Sequence, residues 1–269
     1  MADRARLLGD LLADLAAEGA ALDAVVAELE DTAWLTPTPA EGWTIAHQIG
    51  HLAWTDEQAL QAATVPERLA ARLTGTGAAG LGLLVEQGAA KGAGDDPGTL
   101  LTRWRAGRVA LDAELTQLPD DARLPWYGPP MSPASMATAR LMETWAHGLD
   151  VTDALGLPPS LSSRLRHVVH LGIRTRDFAF VQLGLPAPAE PFRIELTAPD
   201  GALWTWGPED AAQRVTGPAL DFCLRVTRRR HRADLALDAT GPDADRWLDV
   251  AQVFAGPPGD ERAPAGRDL

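Results

Sequence analysis

The stretch "RLMETWAHGLDV", residues 140–151, combines the apolar spacing of a packed helix with two side chains that can bind a cation. Glu143 and His147 are four residues apart, so on a helix they are stacked neighbours with Cβ atoms about 5–6 Å apart. Leu141 and Trp145 flank them and predict a helix that is packed on several sides. The spacing fits either a surface ion pair or part of a metal site, and the rest of the chain has to decide between the two.

A second helical stretch, "EGWTIAHQIGHLAW" (41–54), carries another pair at the same spacing, His47 and His51. Antiparallel helices of a bundle can project such side chains to a common point. One histidine of this pair, together with Glu143 and His147, forms a set of two imidazoles and one carboxylate. This set suits Zn²⁺, Ni²⁺ or Fe²⁺, and three protein ligands leave open positions, as in catalytic sites. The alternative is that these histidines are hydrogen-bonded core residues.

Composition and charge narrow the class of protein. The chain has 269 residues, of which 46% are hydrophobic and 23% charged, as in ordinary globular proteins. A net charge of −13 argues against nucleic-acid binding, because phosphate contacts need clustered cations. No secretory signal is recognisable, and no apolar run approaches the roughly 20 residues that span a bilayer. We therefore expect a cytoplasmic protein with neither membrane nor nucleic-acid partners.

The single cysteine, Cys223, excludes an internal disulfide and a multi-cysteine zinc site. Its apolar neighbours predict a buried, inert thiol. His167 and His170 are three residues apart without an acidic residue within one turn, so we expect them to have structural roles. Trp43 and Trp54 are expected to serve mainly in core packing.

The pattern of apolar residues predicts helices in about the first two-thirds of the chain and a mixture of strands and helices after them. Predicted helices span residues 5–30, 44–63, 96–118, 132–156 and 161–183, with an interrupted helical segment at 66–92. Beyond the proline-rich segment 184–191, strands are predicted at 192–197, 202–207 and 233–240, and helices at 208–213, 218–229 and 241–254. We therefore expect an α+β chain of two domains: a helix bundle at 1–186, a small α+β domain at 187–256 and a disordered tail at 257–269.

The N-terminal amphipathic helix, "EGWTIAHQIGHLAW" and "METWAHGLDV" together resemble the DinB-like superfamily of four-helix metalloproteins. More narrowly, they resemble its mycothiol-dependent maleylpyruvate isomerase branch. The segments "VTGPALDFCLRVTRRRHR" (215–232) and "DATGPDADRWLDVAQVFAGPPG" (238–259) are similar to metal-binding proteins of that branch with a C-terminal sterol-carrier-like domain. The resemblance covers nearly the whole chain. It implies a DinB-like four-helix bundle followed by a small sterol-carrier-like α+β domain.

The resemblance also implies roles for individual residues. It implies that the metal ligands are His51, Glu143 and His147, with His47 as a neighbouring group or an additional ligand. In the resembling branch an arginine of the C-terminal domain is implicated in activity. The matching position is Arg229, with Arg228 as the second choice, although "TRRRHR" departs from the usual glycine-arginine ending of that segment.

The chemistry implied by the resemblance is thiol activation. A divalent metal, zinc first with nickel or iron as alternatives, would favour the thiolate of a low-molecular-weight thiol such as mycothiol. The thiolate would attack a small electrophile, leading to S-transfer or to cis–trans isomerisation. A metal-dependent hydrolase and a non-enzymatic metal or small-molecule binding protein remain the alternatives. A monomer or a homodimer would suit the long-helix bundle.

Overall fold

The computed structural model describes residues 2–75, 77–256 and 261–265. The chain divides into two compact units, Met1–Ser160 and Leu161–Leu269. The first unit is helical and the second combines a sheet with helices, which confirms the predicted α+β fold class. The domain boundary predicted after residue 186 falls within the second unit, where the helices that precede the sheet also lie. Of the tail predicted to be disordered, only 261–265 are among the described residues.

In the described part of the first unit, six α-helices follow the apolar periodicity of the sequence closely. They are α1 (Ala2–Val26), α2 (Ile45–Thr64), α3 (Pro66–Leu73), α4 (Ala78–Ala93), α5 (Pro97–Gln117) and α6 (Pro133–Ala154). α5 begins where Asp96 caps it by accepting a hydrogen bond from the Thr99 amide at 3.0 Å. α6 begins in the same way after Ser132, which accepts from the Ser135 amide at 3.2 Å. A capping residue followed by proline therefore marks both starts.

α2 lies at the centre of the first unit, where it packs against α4, α5 and α6. Ile45, Ile49 and Leu52 on this helix are completely buried, and burial of such a side chain stabilises a fold by about 1.5–3 kcal/mol. On the α4 side the two backbones touch, since a Cβ at Gly92 would lie 2.3 Å from the Cα of Gly50. These contacts fix α2, and hence the positions of the side chains it carries.

Among its described residues, the second unit combines a four-stranded sheet with four α-helices. Its elements are α7 (Leu165–Arg174), α8 (Arg176–Gln182), β1 (Phe192–Thr197), β2 (Leu203–Trp206), β3 (Gln213–Pro218), α9 (Ala219–Val226), β4 (Asp238–Thr240) and α10 (Pro242–Val250). The strand order is β2-β1-β3-β4, with β1 and β3 parallel and the outer pairs antiparallel. Phe192 and Phe222 both pack edge-on against Trp247, at ring distances of 5.6 and 5.5 Å.

Three sequence-based predictions in this unit were wrong. The helix predicted at 208–213 is a turn, and it leads into β3, which pairs with β1 in the register Ile194–Val215. The strand predicted at 233–240 is reduced to β4, because residues 232–234 form a 3₁₀ turn. The helix predicted at 161–183 breaks at Thr175, whose hydroxyl bonds to the carbonyls of Leu171 and Gly172. Within the described ranges, no helix combines the length and apolar character needed to cross a bilayer.

Candidate metal centre

The structure brings together the three residues predicted as metal ligands. His51 extends from α2, and Glu143 and His147 extend from α6. The carboxylate Oε2 of Glu143 lies 3.4 Å from the Nε2 of His51 and 3.1 Å from the Nε2 of His147. One ligand atom of each residue lies within 4.8 Å of the others. Their role as ligands stays a prediction, but the geometry that this role requires is present.

A buried ion pair sets the register of the two helices that carry these residues. Arg140 donates from Nε to the Oδ1 of Asp56 at 2.8 Å, and the two side chains are only 1% and 5% exposed. Asp56 follows His51 on α2, whereas Arg140 precedes Glu143 on α6, as expected for antiparallel helices. Removing one partner of such a pair leaves a buried charge without compensation. The pair therefore stabilises the one alignment that places His51 opposite Glu143.

A chain of hydrogen bonds fixes the tautomer of His147. The Thr38 hydroxyl donates to the carbonyl oxygen of Trp43 at 2.9 Å, and it accepts from the Nε2 of Gln48 at 2.8 Å. The amide oxygen of Gln48 therefore faces the Nδ1 of His147, at 2.6 Å. Because an amide oxygen can only accept, Nδ1 carries the proton. In the neutral imidazole, which is the form that binds a metal, the lone pair of His147 is thus on Nε2, directed at Glu143.

The donor set fits a divalent cation. The Nε2 lone pair of His147 and the carboxylate of Glu143 are both acceptors, 3.1 Å apart, so only a proton or a cation between them makes the contact favourable. Zinc binds nitrogen and oxygen ligands at about 2.0–2.2 Å in tetrahedral geometry, which separates neighbouring ligand atoms by about 3.4 Å. The separation between His51 and Glu143 is 3.4 Å. The distances from Glu143 to the two histidines are therefore close to those between ligands of one ion.

The charge state of Glu143 also suits a cation. Burial acts to raise the pKa of this carboxyl, but its contacts with the His147 and His51 imidazoles outweigh burial and hold the pKa well below its usual range. Glu143 is therefore an anion at neutral pH. The Nδ1 of His51 is buried and has no hydrogen-bond partner among the residues that the structure describes.

His47, the ambiguous histidine of the sequence, turns toward the start of α2. Its Nδ1 lies 3.3 Å from the backbone nitrogen of Thr44 and 2.9 Å from the Thr44 hydroxyl. Together the two residues form a reciprocal cap of the helix N-terminus. The histidine that joins Glu143 and His147 is therefore His51.

Trp43 and Trp54, for which the sequence favoured core packing, are only half-buried and lie beside the candidate ligands. The ring of Trp43 stacks with that of His147 at 6.0 Å and an interplanar angle of 23°, and lies 5.4 Å from the ring of His51. Its indole nitrogen donates to both oxygens of Glu86, at 3.1 and 3.2 Å. Trp54 lies 6.3 Å from the ring of His51. The sequence indicates this contact, because Trp54 follows His51 by three residues and residues at that spacing share a helix face.

The two arginines predicted to be catalytic lie in the second unit, just after α9. Arg228 has a φ of 57°, and it is the one non-glycine residue with positive φ in the described part of the chain. Its amide donates to the Arg225 carbonyl at 3.0 Å, and the Arg229 amide donates to the Leu224 carbonyl at 2.8 Å. This is the helix-ending motif in which glycine is usual. The catalytic role of Arg228 and Arg229 stays a prediction.

The remaining histidine candidates also belong to the second unit. His167 and His170 lie on α7, and His170 is exposed. Cys223 is completely buried, and burial raises the pKa of its thiol well above the usual range. This agrees with the inert thiol expected from the sequence.

Comparison with known proteins identifies the family to which the part of the chain with the candidate site belongs. The family model for the mycothiol maleylpyruvate isomerase N-terminal domain matches residues 15–152, a range that includes His51, Glu143 and His147. A second model, named for wyosine base formation, matches residues 188–239. Two uncharacterized proteins from Mycobacterium tuberculosis, of strains H37Rv and CDC 1551, are each 56% identical to the chain over 251 residues. The match covers 93% of this chain and 97% of theirs.

The fold also has counterparts among crystal structures. The mycothiol-dependent maleylpyruvate isomerase and a mutant of it each align with a TM-score of 0.57 and 15% identity. Each alignment covers 82% of this chain and 89% of the other. At that identity the likeness bears on the fold alone. Since one family model spans half of the chain, together with the helices that carry the candidate site, the chain belongs to the mycothiol maleylpyruvate isomerase N-terminal domain family.

Proposed function

We propose that this protein is a divalent-metal-dependent enzyme that activates a low-molecular-weight thiol of the mycothiol type. The activated thiol would add to a small electrophile and lead to S-transfer or cis–trans isomerisation. The observation that carries this proposal is the convergence of His51, Glu143 and His147, with one atom of each within 4.8 Å of the others. Three protein ligands leave coordination positions open, which distinguishes catalytic sites from closed structural ones. The family name supports the choice of thiol.

The residues around the triad would have distinct tasks. A divalent ion held there, zinc first with nickel or iron as alternatives, would lower the pKa of a thiol that binds it. Gln48 orients His147 through its Nδ1, and Trp43 covers one side of both imidazole rings. Arg229, or Arg228 in second place, would pair with a carboxylate of the thiol or the substrate. The support for the arginines is the family resemblance only.

The proposed thiol chemistry requires neither an oxidant nor a reductant. In isomerisation, the thiolate adds to one carbon of a conjugated double bond and the bond between the two carbons becomes single. Rotation followed by loss of the thiolate restores the double bond in the trans form. In transfer to a conjugated electrophile, the sulfur–carbon bond remains and the adjacent carbon takes up a proton. In transfer to an alkyl halide such as monochlorobimane, the sulfur–carbon bond forms as the carbon–chlorine bond breaks, and chloride leaves. A fixed ligand set would hold the thiol in place for this step.

The experiment combines mycothiol with two electrophiles, maleylpyruvate for isomerisation and monochlorobimane for S-transfer. We expect zinc-loaded protein to accelerate at least one reaction, and Glu143→Gln to abolish the effect. Glu114→Gln, which removes an exposed carboxylate on α5, serves as the matched control and should retain the rate. If the protein binds about one zinc ion per chain yet accelerates neither reaction, the thiol-activation proposal is wrong.

A further inference from the structure

Three aromatic side chains continue outward from the metal triad in an unbroken row. Trp54 lies 6.3 Å from the ring of His51, Tyr127 lies 6.0 Å from Trp54, and Trp126 lies 5.1 Å from Tyr127. We call Trp54, Tyr127 and Trp126 the aromatic strip. Tyr127 is the only tyrosine in the sequence. The strip begins at a candidate ligand and belongs entirely to the first unit.

The strip is not part of the hydrophobic core. Its three side chains are all half-buried, whereas Trp34 and Trp104 of the same unit are 2% and 0% exposed. Leaving large apolar rings partly in water is unfavourable unless a ligand covers them. Apolar, partly open surface beside a few convergent polar groups is the usual make-up of a small-molecule site.

The fold holds the strip in a defined position. The ring of Trp54 lies directly over Gly88 of α4, where an added Cβ would come within 2.4 Å of the indole. The Tyr127 hydroxyl donates to the amide oxygen of Gln58 on α2 at 3.3 Å. Leu124 and Met131 pair across the loop that carries Trp126 and Tyr127, with amide-to-carbonyl distances of 2.8 and 2.9 Å. The rings are thus positioned before any ligand arrives.

The strip is electrically neutral, and this limits what it can bind. Burial raises the pKa of Tyr127 to about 12, so the phenol keeps its proton at neutral pH. Tryptophan carries no charge. The faces of such rings attract other flat apolar rings and electron-poor conjugated systems, and each aromatic pair contributes about 0.5–1.5 kcal/mol beyond the area it buries.

We propose that the aromatic strip binds an aromatic or extended conjugated group of the electrophilic substrate. The inference rests on the proposed function, which makes the substrate an electrophile. Binding of a flat group to the aromatic strip does not itself require the thiol. The flat group would lie along Trp54 and Tyr127, with the electrophilic carbon at the end nearest His51. The natural substrate would then be an electrophile that carries a planar, largely apolar group.

The test measures binding of molecules that cannot react. The probes are N-phenylsuccinimide, N-ethylsuccinimide and myo-inositol, with dissociation constants from ligand-observed NMR on zinc-loaded protein without any thiol. We expect the phenyl compound to bind roughly tenfold more tightly than the ethyl compound, since stacking on two rings adds to the apolar burial. Equal affinity for the two imides would overturn the inference. Tighter binding of myo-inositol that depends on the strip would also overturn it, because the strip would then recognise a sugar-like ring.

Matched variants distinguish the contribution of the aromatic rings to binding from that of the Tyr127 hydroxyl. Tyr127→Leu and Trp126→Ala should each reduce the preference for the phenyl compound, whereas Tyr127→Phe, which keeps the ring and loses the hydroxyl, should retain it. Zinc content identical to that of the wild type shows that each variant keeps the triad. Thiol activity without a phenyl preference would refute the inference and leave the proposed function intact. A phenyl preference without thiol activity would refute the proposed function alone.

Discussion

Gln48 accepts a hydrogen bond from the Nδ1 of His147 at 2.6 Å, and this contact directs the opposite ring nitrogen at Glu143, 3.1 Å away. The amide of Gln48 is itself oriented by Thr38, which in turn donates to the backbone of Trp43. The orientation of a candidate ligand therefore depends on residues that contact no ion themselves. Such supporting contacts commonly determine metal affinity as strongly as a ligand does.

Replacing Gln48 tests this dependence directly. We expect Gln48→Leu to weaken zinc binding by about 10–100-fold, because His147 loses the acceptor that fixes its tautomer. Gln48→Glu keeps an acceptor at the same position and should retain most of the affinity. Competition with a zinc-binding dye gives the dissociation constants. The control is Gln117→Leu, an exposed site at the end of α5. Wild-type affinity in Gln48→Leu would show that the bond has no such role.

The ion pair between Arg140 and Asp56 predicts a large loss of stability. Arg140→Ala leaves the Asp56 carboxylate buried without its partner, and the free energy of unfolding should fall by about 3–5 kcal/mol. The double variant Arg140→Met, Asp56→Leu should recover most of that loss, because it removes both charges. Urea denaturation measures both values. Arg68→Ala, at an exposed site on α3, should change stability by less than about 0.5 kcal/mol. A loss in Arg140→Ala no larger than this would contradict the account.

The left-handed backbone of Arg228 predicts a stabilising substitution. With φ at 57°, an arginine here carries a steric cost of roughly 1–2 kcal/mol that glycine avoids. Arg228→Gly should therefore be more stable than Arg228→Ala by about 1 kcal/mol, since both remove the side chain and only glycine relieves the backbone. The midpoints of thermal unfolding compare the two variants. Equal stability would show that the backbone at this helix end is not strained.

The charge states of the triad predict how metal binding depends on pH. The depressed pKa of Glu143 keeps its carboxylate ionised as the pH falls, whereas an imidazole binds metal only in its neutral form. Any loss of zinc affinity on acidification should thus come from protonation of the imidazole ligands, while the carboxylate is still ionised. We expect zinc affinity to fall as the pH is lowered from about 7 to about 5, because a protonated imidazole cannot bind the ion. Isothermal titrations at several pH values measure this, and a constant affinity over that range would count against histidine ligands.

Local patterns in the sequence predicted most of the helices and two of the three candidate ligands, Glu143 and His147. The capping residues Asp96 and Ser132 mark helix starts because the signal is contained within four residues. The pairing of Glu143 with His147 follows from helical spacing alone. The choice of His51 over His47 needed the family resemblance, because the capping bond of His47 to Thr44 forms only at the folded helix end.

What the sequence could not predict depends on how the elements pack. Gln48 meets His147 only because α2 and α6 are antiparallel and in one register, which a distant ion pair sets. Strand β3 was missed because the acidic and alanine residues before it favour a helix, and its pairing with β1 overrides that preference. The aromatic strip joins α2 to a loop far along the chain, so no spacing rule could reveal it.

The most direct test of the metal centre is elemental analysis of protein purified without chelators or metal-affinity resin. The comparison includes the wild type, the double variant His51→Ala, Glu143→Ala, and the control His170→Ala at an exposed histidine of α7. We predict about one divalent ion per chain in the wild type and the control, and none in the double variant. Absence of metal from the wild type even after incubation with Zn²⁺ or Ni²⁺, or an equal metal content in the double variant, would contradict the central claim.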